Sequence, residues 1–266
     1  MSLKLLEGLC KAEMGAISSL TPQQSRTVIR QGAGGDFTKM IDLVAEEAAV
    51  TYLEAAGFKG RLLSEELGEK RFGSSDYPLL ILDPVDGTTN ATRGINFYSI
   101  SVAESGGPML TDVSAAMVIE LPSGRAFASE HGKGATLDGI PIKVKESVSL
   151  KDALIGVDLN VMGSREKLME IVPLCLQVKH IRNMGSAAIE LCYAANSALD
   201  LYIDNRRLLR VTDIAAACLI LREAGGSVMD LSGGDLDCRL DLKERISLVA
   251  GPRQACIDSI ALLGKK

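Results

Sequence analysis

Residues 81–90 read Ile81-Leu82-Asp83-Pro84-Val85-Asp86-Gly87-Thr88-Thr89-Asn90. A continuous apolar run over 79–82 delivers two carboxylates, three residues apart, into a Pro/Gly turn, and threonines follow where a helix can start. Burying even one unpaired carboxylate is costly, and two at about 4 Å repel by about 4 kcal/mol at an effective dielectric of about 20. A bound divalent cation removes that penalty. The turn therefore reads as half of a metal site, with backbone N–H groups beside it suited to a phosphate.

Acids recur at other element ends. Glu65 and Glu66 follow a short strand-like run, and Asp213 opens a helix in Arg210-Val211-Thr212-Asp213-Ile214-Ala215-Ala216. Taken alone, the glutamates read as a solvated surface pair, and Asp213 as an acid interacting with a helix dipole. Taken together with Asp83 and Asp86, they fit a single two-metal site for phosphoryl transfer. Magnesium suits such a set, because it prefers hard oxygen ligands and keeps several waters.

The rest of the composition narrows the chemistry. Only His131 and His180 are present, both outside any motif and both expected at the surface, so a histidine nucleophile or base is disfavoured. No Cys-x5-Arg loop occurs, and neither His nor Cys clusters as zinc requires. The six cysteines show no CxxC pair and read as buried, reduced thiols, which predicts a cytoplasmic protein. Net charge is −5 with no basic run, which argues against a nucleic-acid partner. An anionic substrate would then need local positive charge from a metal or from particular arginines. No stretch reaches the ~20 apolar residues of a membrane span. The opening Met1-Ser2-Leu3-Lys4-Leu5-Leu6-Glu7 reads as an amphipathic helix and not as a signal peptide.

Pattern reading places a helix over 1–20, a Gly-rich loop over 31–37, and a helix capped by Thr38 running to about Ala56. The apolar face of that helix is read as Ile41, Val44, Ala48 and Tyr52, with Asp42 and Glu46 sharing another face. Strands are expected over 79–83, 97–103, 113–120 and 125–130, and Asp138-Gly139 signals a hairpin before 140–144. Beyond 145 strands (153–158, 199–203, 227–231, 246–250) alternate with helices (164–175, 185–195, 213–224, 253–263). An α+β part, 1–145, packed on an α/β part, 146–266, is the predicted organisation.

The pieces Ser64-Glu65-Glu66, Asp83-Pro84-Val85-Asp86-Gly87-Thr88-Thr89-Asn90, Gly185-Ser186-Ala187-Ala188 and Thr212-Asp213-Ile214-Ala215-Ala216, with Glu223-Ala224-Gly225-Gly226 behind, resemble the inositol monophosphatase family of magnesium-dependent sugar phosphatases. The segment 204–213 resembles the archaeal members that act on both inositol phosphates and fructose 1,6-bisphosphate. The resemblance implies a layered α/β/α/β/α sandwich, a homodimer, and a phosphorylated sugar or cyclitol as substrate. It implies that Glu65, Asp83 and the Val85 carbonyl hold one Mg2+, that Asp83, Asp86 and Asp213 hold a second, and that Thr88 orients the attacking water, with Glu65 as a further candidate. Gly87 and Thr88 would give N–H groups to the phosphate, beside Gly185 and Ser186. Glu66 resembles a neighbouring acid with a weaker role. Lys39 matches a lysine of the family motif, and Asp36 leaves a third metal open. Arg206 and Arg210 read either as a salt-bridged surface or as a grip on a second phosphate; the subgroup resemblance favours the grip for at least one. The family's outer-shell acid near 39–42 reads as shifted or missing, since Val44-Ala45-Glu46-Glu47-Ala48 stands in its place. Alternatives are a 3′-phosphoadenosine 5′-phosphate phosphatase and a regulatory binding protein that keeps the fold.

Overall fold

The computed structural model describes residues 2–31 and 37–264. The strand Leu79–Asp86 lies at its centre, and all eight of its residues are buried. It pairs in parallel with Gly60–Ser64 and antiparallel with Ser99–Ser105. These strands belong to an eight-stranded sheet that runs from the hairpin Ala135–Leu137/Ile140–Ile142 at one edge to the charged strand Gly68–Phe72 at the other. Asp138 and Gly139 both take positive φ in the expected hairpin turn (52° and 78°).

Period-two alternation sorts the central strand between two cores. Leu79 and Ile81 face one way and Leu80 and Leu82 the other. Leu80 and Leu82 pack with Leu6 and Leu9 of the helix Ser2–Ser18 and with Ala49 and Leu53 of the helix Met40–Ala55. Each fully buried leucine contributes about 2 kcal/mol. Leu79 and Ile81 meet the helices Ala187–Ala195 and Val211–Glu223. Those helices lie in turn on a five-stranded sheet, through Tyr202, Leu248 and Ala250. The opposite face of that sheet, with Leu201, Ile203 and Val249, packs against the helices Arg165–Cys175 and Arg253–Ile260. Helix, sheet, helix, sheet, helix is the layered sandwich that the sequence implied. Among the described residues, no helix is long and apolar enough to cross a membrane.

Three local expectations are corrected. Lys39, not Thr38, caps the helix Met40–Ala55: its backbone N–H donates to Asp42 Oδ2 at 2.9 Å, and Thr38 belongs to a short strand. The inward face of that helix is Ile41, Asp42, Ala45, Glu46, Ala49 and Leu53, so Val44, Ala48 and Tyr52 are only half-buried. Finally, the strand expected over 199–203 runs from Leu201 to Leu209, because its partner Ile246–Gly251 continues alongside it past an irregularity between Asp204 and Leu209. Of the Gly-rich loop expected over 31–37, Gln31 and Phe37 belong instead to two paired short strands, Val28–Gln31 and Phe37–Lys39, and residues 32–36, Asp36 among them, lie outside the described residues.

Candidate active site

A register shift between Asp83 and Asp86 interrupts the pairing of the central strand with Ser99–Ser105. Proline cannot donate to a sheet ladder and is tolerated at such bulges, which re-aim side chains. Pro84 thus marks where the strand leaves the regular ladder. Gly87 follows at φ +93° and precedes the short helix Thr88–Arg93. A Cβ at Gly87 would stand 3.1 Å from the Gly185 carbonyl and 3.2 Å from that of Phe97, so only glycine fits there without displacement.

Four acids meet at this end of the sheet. Ligand oxygens of Glu65, Asp83 and Asp213 all lie within 4.8 Å of one another. Asp213 sits in the first turn of its helix, as read from sequence, and Oδ2 accepts the Arg210 N–H at 2.8 Å. Asp83 is 3% exposed, and Oδ1 accepts the Val85 N–H at 3.0 Å. Asp86 Oδ2 accepts the Ser186 hydroxyl at 2.6 Å and the Ala188 N–H at 2.7 Å, which ties it to the helix Ala187–Ala195. Glu65 Oε1 is 2.5 Å from Arg210 Nη1.

Burial and mutual repulsion strain this group in its charged form. Burial, then the Asp213 charge, pushes Glu65 up to about 8. The same two causes push Asp86 up to about 7. Asp83 is held well above the carboxylate range by burial, then by Glu65, Asp86 and Asp213. Asp213 is raised by burial, against the Arg210 N–H bond and charge. The donor set is hard carboxylate oxygen, with no His or Cys among the convergent groups. It fits Mg2+, which would relieve this repulsion.

Around the acids opens a cleft of about 440 Å³ lined by Lys39, Thr88, Asp158, Gly185, Arg206 and Arg210 among others. Every described residue that the sequence singled out for the site lines it except Ser186, which is 1% exposed and acts through Asp86. Glu66 is buried and accepts the Thr38 hydroxyl, so it is no solvated surface acid. Lys39 Nζ donates to Thr92 Oγ1 at 3.2 Å. Arg206 is tied down: its Nε is 3.0 Å from Asp204 Oδ2 and its Nη1 2.7 Å from Asp158 Oδ2.

Asp42 was passed over in the sequence. It is 2% exposed and faces Thr88, whose hydroxyl lies 3.0 Å from Asp42 Oδ1 and 2.9 Å from the Val85 carbonyl. Burial, then opposed by the Lys39 N–H bond, pushes Asp42 up to about 7. An acid does stand beside Thr88, therefore: it is Asp42, within the 39–42 segment where the sequence reading has the acid shifted or missing. The matching of Lys39 to the family motif pointed to this region, and the polar inward face of the helix was the missed signal.

Comparison with known proteins agrees with this geometry. The fructose-1,6-bisphosphatase/inositol-1-monophosphatase of Methanothermobacter thermautotrophicus is 38% identical over 245 residues, covering 88% of this chain and 86% of that protein. The bifunctional NADP phosphatase/NAD kinase of Methanocaldococcus jannaschii is 34% identical over 92% of this chain, which spans only 47% of that protein's length. The solved structure of the extragenic suppressor protein suhB from Bartonella henselae superposes with a TM-score of 0.82 at 27% identity, over 99% of this chain and 98% of that one. The sequence model of the inositol monophosphatase family matches residues 3–261. The chain belongs to the inositol monophosphatase family, whose members are metal-dependent phosphoric monoester hydrolases.

Proposed function

We propose that this protein hydrolyses the phosphate monoesters of small polyols, inositol monophosphate and fructose 1,6-bisphosphate among them, with two Mg2+ ions. The observation that carries the reading is the convergence of Glu65, Asp83 and Asp213, from three distant parts of the chain, in one cleft. Glu65, Asp83 and the Val85 carbonyl would hold one ion, and Asp83, Asp86 and Asp213 the other. When bound, such ions draw charge from the phosphoryl oxygens and make water a stronger acid. The chain's own groups do the rest. The Thr88 hydroxyl donates its hydrogen bond to Asp42 Oδ1 or to the Val85 carbonyl and so keeps its lone pairs for an incoming water. Asp42, titrating near neutrality, is suited to take up a proton. Gly87 and Thr88 N–H groups would cradle the phosphate.

Arg206 and Arg210 line the cleft, Arg206 paired with Asp204 and Asp158 and Arg210 with Glu65, and a second phosphate would bind by taking over part of those pairings. No aromatic ring stands among the described residues of that wall, which favours a polyol over a nucleotide that must stack its base. The family resemblance further supports a homodimer, and six free thiols support the reducing cytoplasm. A panel of inositol 1-phosphate, fructose 1,6-bisphosphate, 3′-phosphoadenosine 5′-phosphate and NADP, each with and without Mg2+, tests the reading. Mg2+-dependent phosphate release greatest on the first two is expected; faster release from either nucleotide would overturn it.

A further inference from the structure

Glu46 lies one helical turn beyond Asp42 on the helix Met40–Ala55 and is 2% exposed. Its Oε1 takes two hydrogen bonds, from the Ser64 hydroxyl and from the Leu67 N–H at 2.8 Å. Those donors are the two ends of the turn 64–67, so a single carboxylate oxygen closes the turn. Within it stand Glu65, whose carboxylate reaches Asp83 and Asp213, and Glu66, which accepts the Thr38 hydroxyl from just ahead of the same helix. That helix also holds Thr88 through Asp42. One helix face therefore sets the position of both the Glu65 turn and the turn after Asp86, which otherwise come from different strands of the sheet.

Near Glu46 is Glu13, fully buried on the helix Ser2–Ser18, with neither carboxylate oxygen hydrogen-bonded among the described residues. Burial, then the nearby Glu46 carboxylate, holds the Glu13 carboxyl well above its usual range.

We propose that Glu46 is a positioning residue for the metal site: it fixes the turn 64–67 so that the Glu65 carboxylate meets those of Asp83 and Asp213. The proposal rests on the metal-site reading above. Groups that orient a metal ligand from behind typically change metal affinity by about 10- to 100-fold when removed. Their geometry matters more than their charge, because the turn needs an acceptor at that point and not an anion.

The test is Mg2+ titration by calorimetry on the whole protein, beside Mg2+-dependence of phosphate release and thermal melting. Glu46→Ala is expected to weaken Mg2+ binding about tenfold and to raise the half-saturating Mg2+ by the same factor, while kcat at saturating Mg2+ stays within about threefold. Glu46→Gln, whose amide oxygen can accept both hydrogen bonds, is expected to restore affinity to within about threefold of wild type. Glu46→Ala binding Mg2+ as wild type does, with only its melting temperature lowered, would overturn the proposal. So would Glu46→Gln binding as weakly as Glu46→Ala. If Glu46→Ala does not fold, Ser64→Ala removes one of the two donors and is expected to weaken Mg2+ binding about threefold, the worth of a single hydrogen bond; unchanged affinity there would overturn the proposal as well. Wild-type protein that binds no Mg2+ would instead reject the metal site itself, and with it any role for Glu46 in ordering one.

Discussion

The Ser186 hydroxyl donates to Asp86 Oδ2 at 2.6 Å, across 100 positions of sequence. Asp86 ends a strand of the eight-stranded sheet, and Ser186 immediately precedes the helix Ala187–Ala195, whose Ala188 N–H shares the same oxygen. The acid is thereby aimed by the other half of the chain. Ser186→Ala is expected to lower Mg2+ affinity about tenfold by calorimetry, while stability falls by only about 1 kcal/mol. Affinity equal to wild type would mean that Asp86 is aimed by the helix N–H alone.

Asp213→Asn keeps the shape of the side chain and removes its charge. Phosphate release with Mg2+ is expected to fall by about a thousandfold or more, corresponding to several kcal/mol of lost transition-state stabilisation. The melting temperature in EDTA should not fall, since one member of a mutually repelling group is gone. Retention of full activity would remove Asp213 from the machinery.

Thr88→Val and Asp42→Asn separate binding from turnover. Neither side chain is assigned to hold metal, yet the hydroxyl and the carboxylate meet at 3.0 Å in the cleft. Each variant is expected to lose about a hundredfold in kcat, with Mg2+ affinity within about threefold of wild type. A kcat unchanged in Thr88→Val would assign the orientation of water to another group, Glu65 being the next candidate.

The raised carboxyl groups also predict how stability depends on pH. Asp42 and Asp86 are pushed up to about 7, and Glu65 to about 8, chiefly by burial. The native protein then holds protons that the unfolded chain releases near pH 4, so unfolding releases protons between those limits. Metal-free stability is therefore full below about pH 4 as far as these groups are concerned, and is lost as pH rises through about 7 to 8. Thermal melts in EDTA should show a falling midpoint from pH 5 to pH 8, and the rise produced by Mg2+ should be larger at pH 8 than at pH 5. A midpoint in EDTA that climbs over this range would contradict the assignment.

Much of this site was legible before any coordinates. Asp83 and Asp86 stood out because charge terminates a run of buried aliphatics, which no packing argument explains. The layered fold followed from matched motifs, and its alternation could be checked residue by residue: Leu79 and Ile81 to one core, Leu80 and Leu82 to the other. What escaped was the polar side of the helix Met40–Ala55. Counting apolar positions assigned its inner face to Ile41, Val44, Ala48 and Tyr52; Ile41 is buried, but the rest of the face is Asp42, Ala45, Glu46, Ala49 and Leu53, with two acids among small and aliphatic side chains. A periodicity rule assumes that what faces inward is apolar, and it fails where the interior is an active site. The strand Leu201–Leu209 was cut short for a related reason. Asp204-Asn205-Arg206-Arg207 looks like a solvated turn, but Asp204 and Arg206 neutralise each other and Asp204 is fully buried. The edge strand His180–Arg182 was missed because three residues, two of them exposed, carry no usable pattern.

One core joins the two sheets. Side chains from Leu63 and Ile81 through Phe127 to Tyr202, Cys218 and Leu248 belong to a single continuous cluster. A truncated chain lacking either sheet would strip that cluster of one wall and leave the carboxylates without their opposite numbers. Uptake of a divalent ion would then serve as a sensor of completed folding, silent for any fragment and switched on only when the entire polypeptide has closed.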